Sequence, residues 1–190
     1  MDRLAARLFD VAAASLVLIL SFPLLVLAML AIWFNDGATP IYRAPRVGRD
    51  GHDFAMFKLR TMVLQADQLG GRFAPQGDPR ITLVGAWLRR WKIDELPQFV
   101  NVLRGEMAIV GPRPDVRLGV ERYSPQELQL LAVRPGITGL ASLLFFEEAI
   151  LLAGKGDPTE FYMTSIRPLK TNSSLATSVS STSCGAAMSA

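Results

Sequence analysis

The chain has one histidine, His52, and one cysteine, Cys184. A single thiol excludes an internal disulfide and any Cys-rich zinc site. A single imidazole makes a His-based metal site or a Ser-His-Asp triad a poor reading, and His52, placed beside a turn, reads as a solvated loop residue. Net charge is small: 20 Lys+Arg against 17 Asp+Glu leave +3. With no exposed aromatic platform to accompany it, that excess gives no reason to expect a nucleic-acid partner. No internal repeat is visible and strand-like stretches are few. Any chemistry must therefore rest on carboxylates, Arg and Lys.

What the chain does have is apolar length. Half of its 190 residues are hydrophobic, and its mean hydropathy is +0.27. Residues 11–34 form an uncharged run of 24, enough at about 1.5 Å per residue to cross a hydrocarbon core of roughly 30 Å. A cleaved signal peptide is the weaker reading, because the run outlasts an ordinary h-region and Trp33-Phe34-Asn35 is a poor cleavage site. Pro23 sits near the middle of the run, without an N–H and in steric conflict with the carbonyl of Ile19, so a kink is expected. The Ser21 hydroxyl stands close enough to bond a freed carbonyl. Arg3 and Arg7 precede the run, while Arg43, Arg46 and Arg49 follow it. A positive-inside bias then places both ends on the cytoplasmic side, which favours a kinked re-entrant helix over a plain span. Trp33 and Phe34 would lie at headgroup level.

Beyond the run, residues 41–60 predict a small β-ribbon: Ile41-Tyr42 and Phe54-Ala55-Met56-Phe57 flank a turn with Gly48 and Asp50-Gly51. Gly70-Gly71 and residues 75–79 mark a loop. Val84, Trp87, Leu88 and Trp91 then fall on one helical stripe, with Arg89, Arg90 and Lys92 mostly off it. Two readings of that stripe stand side by side, a core-facing helix and an interfacial helix with Trp in the headgroups. A second helix follows Ile93-Asp94, with Leu96, Phe99, Val100 and Leu103 on one face, Pro97 in the first turn and Gly105 as the C-terminal cap. A third opens at Ser124-Pro125-Gln126-Glu127, a capping box, and ends by Arg134. Residues 171–190 carry no charge and ten Ser/Thr, so disorder is expected there.

Asp94 and Glu95 are adjacent carboxylates just after Arg89-Arg90-Trp91-Lys92. On spacing alone the plain reading is an N-cap with a dipole-complementing neighbour. Gly111-Pro112-Arg113-Pro114 fixes an Arg in a stiff turn, either an ordinary loop or a phosphate clamp. Arg134-Pro135-Gly136-Ile137-Thr138-Gly139 repeats the device.

The run Trp87-Leu88-Arg89-Arg90-Trp91-Lys92-Ile93-Asp94-Glu95-Leu96-Pro97-Gln98, continued by Asn101-Val102-Leu103-Arg104-Gly105, resembles the core signature of the bacterial sugar transferases, the monotopic polyprenyl-phosphate phosphoglycosyl transferases. Phe57-Lys58-Leu59-Arg60-Thr61-Met62, Asp78-Pro79-Arg80-Ile81-Thr82, the Ser21/Pro23 break and the two Pro-rich blocks are similar to its other motifs. They occur in order between about Arg7 and Lys170. Each block alone is weak, but the ordered set outweighs the capping reading of Asp94.

The resemblance implies a mainly α fold with a small β-ribbon (α+β), in which a re-entrant membrane helix (1–36) carries a small cytoplasmic catalytic domain with interfacial amphipathic helices (37–170), followed by the Ser/Thr-rich tail (171–190). It implies transfer of a sugar-1-phosphate from a UDP-sugar to undecaprenyl phosphate at the inner membrane of a bacterium, with UMP released, as the first membrane step of a surface glycan. Asp94 would be the nucleophile and would carry a phospho-sugar intermediate. Glu95 would hold Mg²⁺. Arg89 and Arg113, with Lys58 and Arg134 as further partners, would neutralise phosphate oxygens. Such an acid needs room for a nucleotide beside it. A catalytically silent, membrane-anchored module that binds UDP-sugar or lipid phosphate is the alternative, and a homodimer stays open. Two departures stand out. Phe22 separates Ser21 from Pro23, where some relatives have Ser-Pro. Past Pro168-Leu169-Lys170, the family's Tyr-containing helix and hydrophobic-basic end give way to the Ser/Thr-rich stretch, a change expected to weaken folding, membrane docking or activity.

Overall fold

A single helix, α1 (Arg3–Asp36), opens the chain and contains Pro23. The computed structural model describes residues 3–69 and 77–139. The Gly70-Gly71 turn, the chain beyond Gly139 and the Ser/Thr-rich tail lie outside the described residues. Within α1 the Ser21 hydroxyl donates to the Val17 carbonyl at 2.6 Å, one turn back, so it does not bond the Ile19 carbonyl that Pro23 leaves without its usual donor. Gly37, at φ +69, ends the helix in the left-handed conformation that a side chain disfavours, and its N–H donates to the Trp33 carbonyl.

The described residues are mainly helical, with little sheet. Strands β1 (Ile41–Val47) and β2 (Asp53–Leu59) form the expected antiparallel ribbon, with Ile41 facing Leu59 and Val47 facing Asp53. Their tip is a 3-10 turn, Arg49–Gly51, with Asp50 and Gly51 both at positive φ, and His52 is exposed there as anticipated. After a short α2 (Ala66–Leu69) come α3 (Leu83–Arg90), a 3-10 turn (Ile93–Glu95) and α4 (Gln98–Arg104), closed by Gly105 at φ +81. A short parallel pair, β3 (Ala108–Val110) and β4 (Gly136–Thr138), brackets α5 (Arg117–Val120) and a 3-10 helix (Glu127–Ala132). The capping box holds: Ser124 N–H donates to Glu127 and Glu127 N–H to the Ser124 hydroxyl. The segment it opens is 3-10 and not α-helical.

Among the described residues two apolar clusters form the core, and α1 contributes to both. Leu25, Ala28 and Ile32 pack with Leu59, Leu88 and Ile93. Ala14 packs with Ala44, Met56, Val102 and Met107. Burying Leu25 and Ile32 contributes about 1.5–3 kcal/mol each. Polar ties reinforce each end of the helix. Arg7 donates to the Val102 and Leu103 carbonyls, and Asp10 accepts from the Ile109 N–H. At the far end Arg60 grips Asp36 through both guanidinium nitrogens, at 2.5 and 2.6 Å, and donates to the Thr39 carbonyl.

The amphipathic stripe of α3 divides. Val84 and Leu88 pack toward the α1 cluster, while Trp87 and Trp91 are 52% and 62% exposed and Leu83 is 92% exposed. The core-facing reading therefore holds for Val84 and Leu88, and the two Trp side chains stand outside that packing. Thr82 caps α3 by accepting from the Gly85 N–H at 2.9 Å. A Cβ on Gly85 would lie 2.0 Å from the Thr61 carbonyl oxygen, so only glycine lets α3 sit against the chain leaving β2.

One buried side chain joins helix to ribbon. Asn101 accepts from the Phe57 N–H and donates to the Ala55 carbonyl and to Glu106. Asn101→Ala would strand these groups in the interior and should cost about 3 kcal/mol, read as a fall in denaturation midpoint in detergent. The Arg60 pair holds the Asp36 carboxyl down at about 2, through its hydrogen bonds and despite partial burial. Its stabilisation is therefore present above the ordinary carboxylate value and is lost as pH falls through about 2. Arg60→Ala should lower the unfolding temperature near neutral pH and flatten its acid-side decline between about pH 4 and pH 2, checked by thermal unfolding across that range.

Candidate functional site

Three separate stretches meet at Glu95. The extended backbone of β2 carries Lys58, the 3-10 turn carries Asp94 and Glu95, and the Pro-rich loop after β3 carries Arg113. Lys58 Nζ lies 3.0 Å and Arg113 Nη2 lies 2.9 Å from the same oxygen, Oε1 of Glu95. The turn itself begins at Lys92, a non-glycine residue held at φ +56, a left-handed kink that lets the chain reverse from α3 into the carboxylate pair. Asp94 caps nothing. It lies inside the 3-10 turn, and the residue at the cap position, Lys92, makes no side-chain cap bond.

Arg113 is fixed by an unexpected backbone contact. Gly111 N–H donates to the Thr138 carbonyl and Gly136 N–H to the Pro112 carbonyl, and a Cβ on Gly136 would stand 2.1 Å from the Gly111 nitrogen. The two Pro-rich blocks thus lie back to back. Arg89 reaches the site from α3: its Nε donates to the buried Thr61 hydroxyl at 2.8 Å, and its charge acts on Asp94 and Asp78. Asp78 is itself gripped by Arg80. Arg134 is placed elsewhere, with Nε donating to the Gly105 carbonyl at the far end of α4.

The electrostatics separate the two acids. Burial alone would raise the Glu95 carboxyl, but Arg113 and Lys58 overcome it and hold Glu95 well below the usual range. Burial pushes Asp94 up, the Glu95 charge adds to that push, and Lys58, Arg89 and Lys92 oppose it. Burial also lowers Lys58 against the pull of Glu95. The adjacent carboxyls are thus shifted in opposite directions, Glu95 down through its cations and Asp94 up through burial, a division of the kind found at reactive centres. The room for a nucleotide that the sequence reading requires is not open: Asp94 is 7% exposed, and its Oδ1 is buried without a hydrogen-bond partner.

Of the six charged residues singled out from sequence, five converge: Lys58, Arg89, Asp94, Glu95 and Arg113. Sequence reasoning gave no role to Thr61, Gln98 or Asn101. All three stood inside the recognised blocks, and for Gln98 and Asn101 a polar residue amid the apolar spacing of α4 was the available signal.

The sequence that builds this site is similar to known proteins. The family described as bacterial sugar transferase matches residues 1–169. The chain is 41% identical to the exopolysaccharide production protein ExoY of Rhizobium meliloti, over 72% of this chain and 67% of that protein. It is 44% identical to the UDP-glucose:undecaprenyl-phosphate glucose-1-phosphate transferase of Caulobacter vibrioides, over 74% of this chain and 54% of the relative. It is 37% identical to the undecaprenyl-phosphate galactose phosphotransferase of Salmonella typhimurium, over 73% of this chain and 32% of the relative. The chain thus spans from about two thirds to about one third of the length of these relatives. With the family matched over most of its length and the signature carboxylates gathered among three cations, the chain belongs to the bacterial sugar transferases.

Proposed function

We propose that the protein transfers a sugar-1-phosphate from a UDP-sugar to undecaprenyl phosphate at the cytoplasmic face of a bacterial membrane, as an early step in building a surface glycan. The observation that carries this is the convergence of Lys58, Arg89 and Arg113 on an adjacent acid pair. A carboxylate approaching a diphosphate meets like-charge repulsion, and fixed cations remove it. Asp94 attacks the phosphorus next to the sugar, the bond to UMP breaks, and an acyl-phosphate carrying the sugar forms on Asp94. An oxygen of undecaprenyl phosphate then attacks that phosphorus, giving undecaprenyl-diphosphate-sugar and restoring the Asp94 carboxylate.

Glu95 acts as a stand-in anion in this scheme. It occupies Lys58 and Arg113, and an arriving diphosphate competes for both, drawing Arg113 away and opening the acid beneath. The donor set suits Mg²⁺, which binds through one or two carboxylates and completes its shell with water and substrate oxygens. Glu95, firmly ionised, would hold it, with the unpartnered Asp94 Oδ1 nearby. Bound there, the ion would neutralise charge on the diphosphate oxygens.

Membrane attachment is part of the proposal. Both ends of α1 are tied to one body, Arg7 and Asp10 to α4 and β3, and Asp36 to Arg60. A helix fastened so, with its outward side chains apolar and exposed, fits a monotopic seat with both ends cytoplasmic. The exposed Trp87, Trp91 and Leu83 would extend that seat along α3.

The closed position of Asp94 favours one rival, a silent module that binds UDP-sugar or lipid phosphate. It would bind donor and release no UMP. The transferase should release UMP when given both substrates, and mass spectrometry should find a phospho-sugar on Asp94. Asp94→Asn should abolish the adduct and lower turnover by more than about a thousandfold, and normal turnover in that variant would remove Asp94 as nucleophile. In a Cys184→Ser background, Asp2→Cys and Asn35→Cys should both be labelled from the cytoplasmic side of membrane vesicles. Labelling from opposite sides would make α1 a true span.

A further inference from the structure

Two side-chain polar atoms are buried without a hydrogen-bond partner among the described residues, Oδ1 of Asp94 and Nε2 of Gln98. They belong to one short stretch, four residues apart, where the 3-10 turn passes through Leu96 and Pro97 into α4. Gln98 is 1% exposed, so its amide cannot turn to bulk water. Asn101, a residue of the same helix and equally buried, spends its amide on Phe57, Ala55 and Glu106. Gln98 makes no such use of its donor. An unpaired buried N–H bears its whole desolvation penalty, so the Gln98 amide keeps a donor in reserve for an acceptor that enters the site.

The two orphan atoms are complementary in kind to a phosphoryl group in reaction. One is the carboxylate oxygen that attacks phosphorus, and the other is a neutral donor suited to a non-bridging oxygen. Lys58 and Arg113 are engaged by Glu95 and Arg89 by Thr61. A neutral amide adds direction to the site without adding charge.

Resting on the transferase reading above, we propose that Gln98 is a substrate-binding residue whose side-chain amide donates to an oxygen of the phosphoryl group transferred through Asp94. That group is present in both half-reactions, arriving on the UDP-sugar and leaving on undecaprenyl phosphate. The amide therefore serves adduct formation and adduct discharge alike.

Gln98→Met tests this, since it keeps length and loses the N–H. The expected result is an unfolding temperature at or above that of the wild type, with adduct formation from UDP-sugar alone and discharge by undecaprenyl phosphate each slowed about tenfold or more. A UDP-sugar should also raise the unfolding temperature of the wild type by more than that of Gln98→Met, a readout that needs no turnover. Three results would overturn the proposal: wild-type rates in Gln98→Met, slowing of only one half-reaction, or an undiminished thermal shift. So would rate losses in Gln98→Met and Gln98→Glu that follow a fall in unfolding temperature, since Gln98 would then be a packing residue. An absence of adduct in the wild type would sink the transferase reading separately, and the thermal shift would still judge Gln98.

Discussion

Everything at the site depends on one carboxylate oxygen shared by two cations. Oε1 of Glu95 draws Lys58 from the ribbon and Arg113 from a loop 18 residues further along the chain. Without that shared anion, two partly buried positive charges would face each other with nothing between them, at a cost that grows as water is excluded. The pair also explains why the acids differ. Glu95 keeps its charge because the cations are aimed at it, and Asp94 is left to burial.

Much of this was legible in the sequence, for physical reasons. The ribbon follows from alternation around an Asp-Gly turn, and α4 follows from apolar spacing between Pro97 and Gly105. The charged cluster was legible because residue types at fixed offsets carry a signature, even though Lys58 and Glu95 lie 37 residues apart. What could not be read was close approach. That Gly136 would touch Gly111, and that Gly85 would press on Thr61, depends on distant backbones meeting, and no local period encodes it. The β3–β4 pair escaped notice for the same reason, being three residues per strand and parallel.

The Arg134 and Asp94 placements mark the other boundary. An Arg in a stiff Pro-Gly turn suits a phosphate or a carbonyl equally well, and here it spends its Nε on the end of α4. Acids after a basic run suit a cap, but the left-handed Lys92 turns the chain so that Asp94 enters a 3-10 turn and is buried. In both cases the local backbone decides where the side chain is used.

A helix as long and apolar as α1 could be a mere tether to the rest of the chain. Here Ala14, Leu25, Ala28 and Ile32 are interior residues of the body that carries the charges. Severing the chain after Asp36 would leave Met56, Leu59, Leu88 and Val102 facing water, and would release the carbonyls that Arg7 ties down at the end of α4. The opening helix and the body that carries the charges are one folding unit, so a form cut after Asp36 would lose the packing of both clusters.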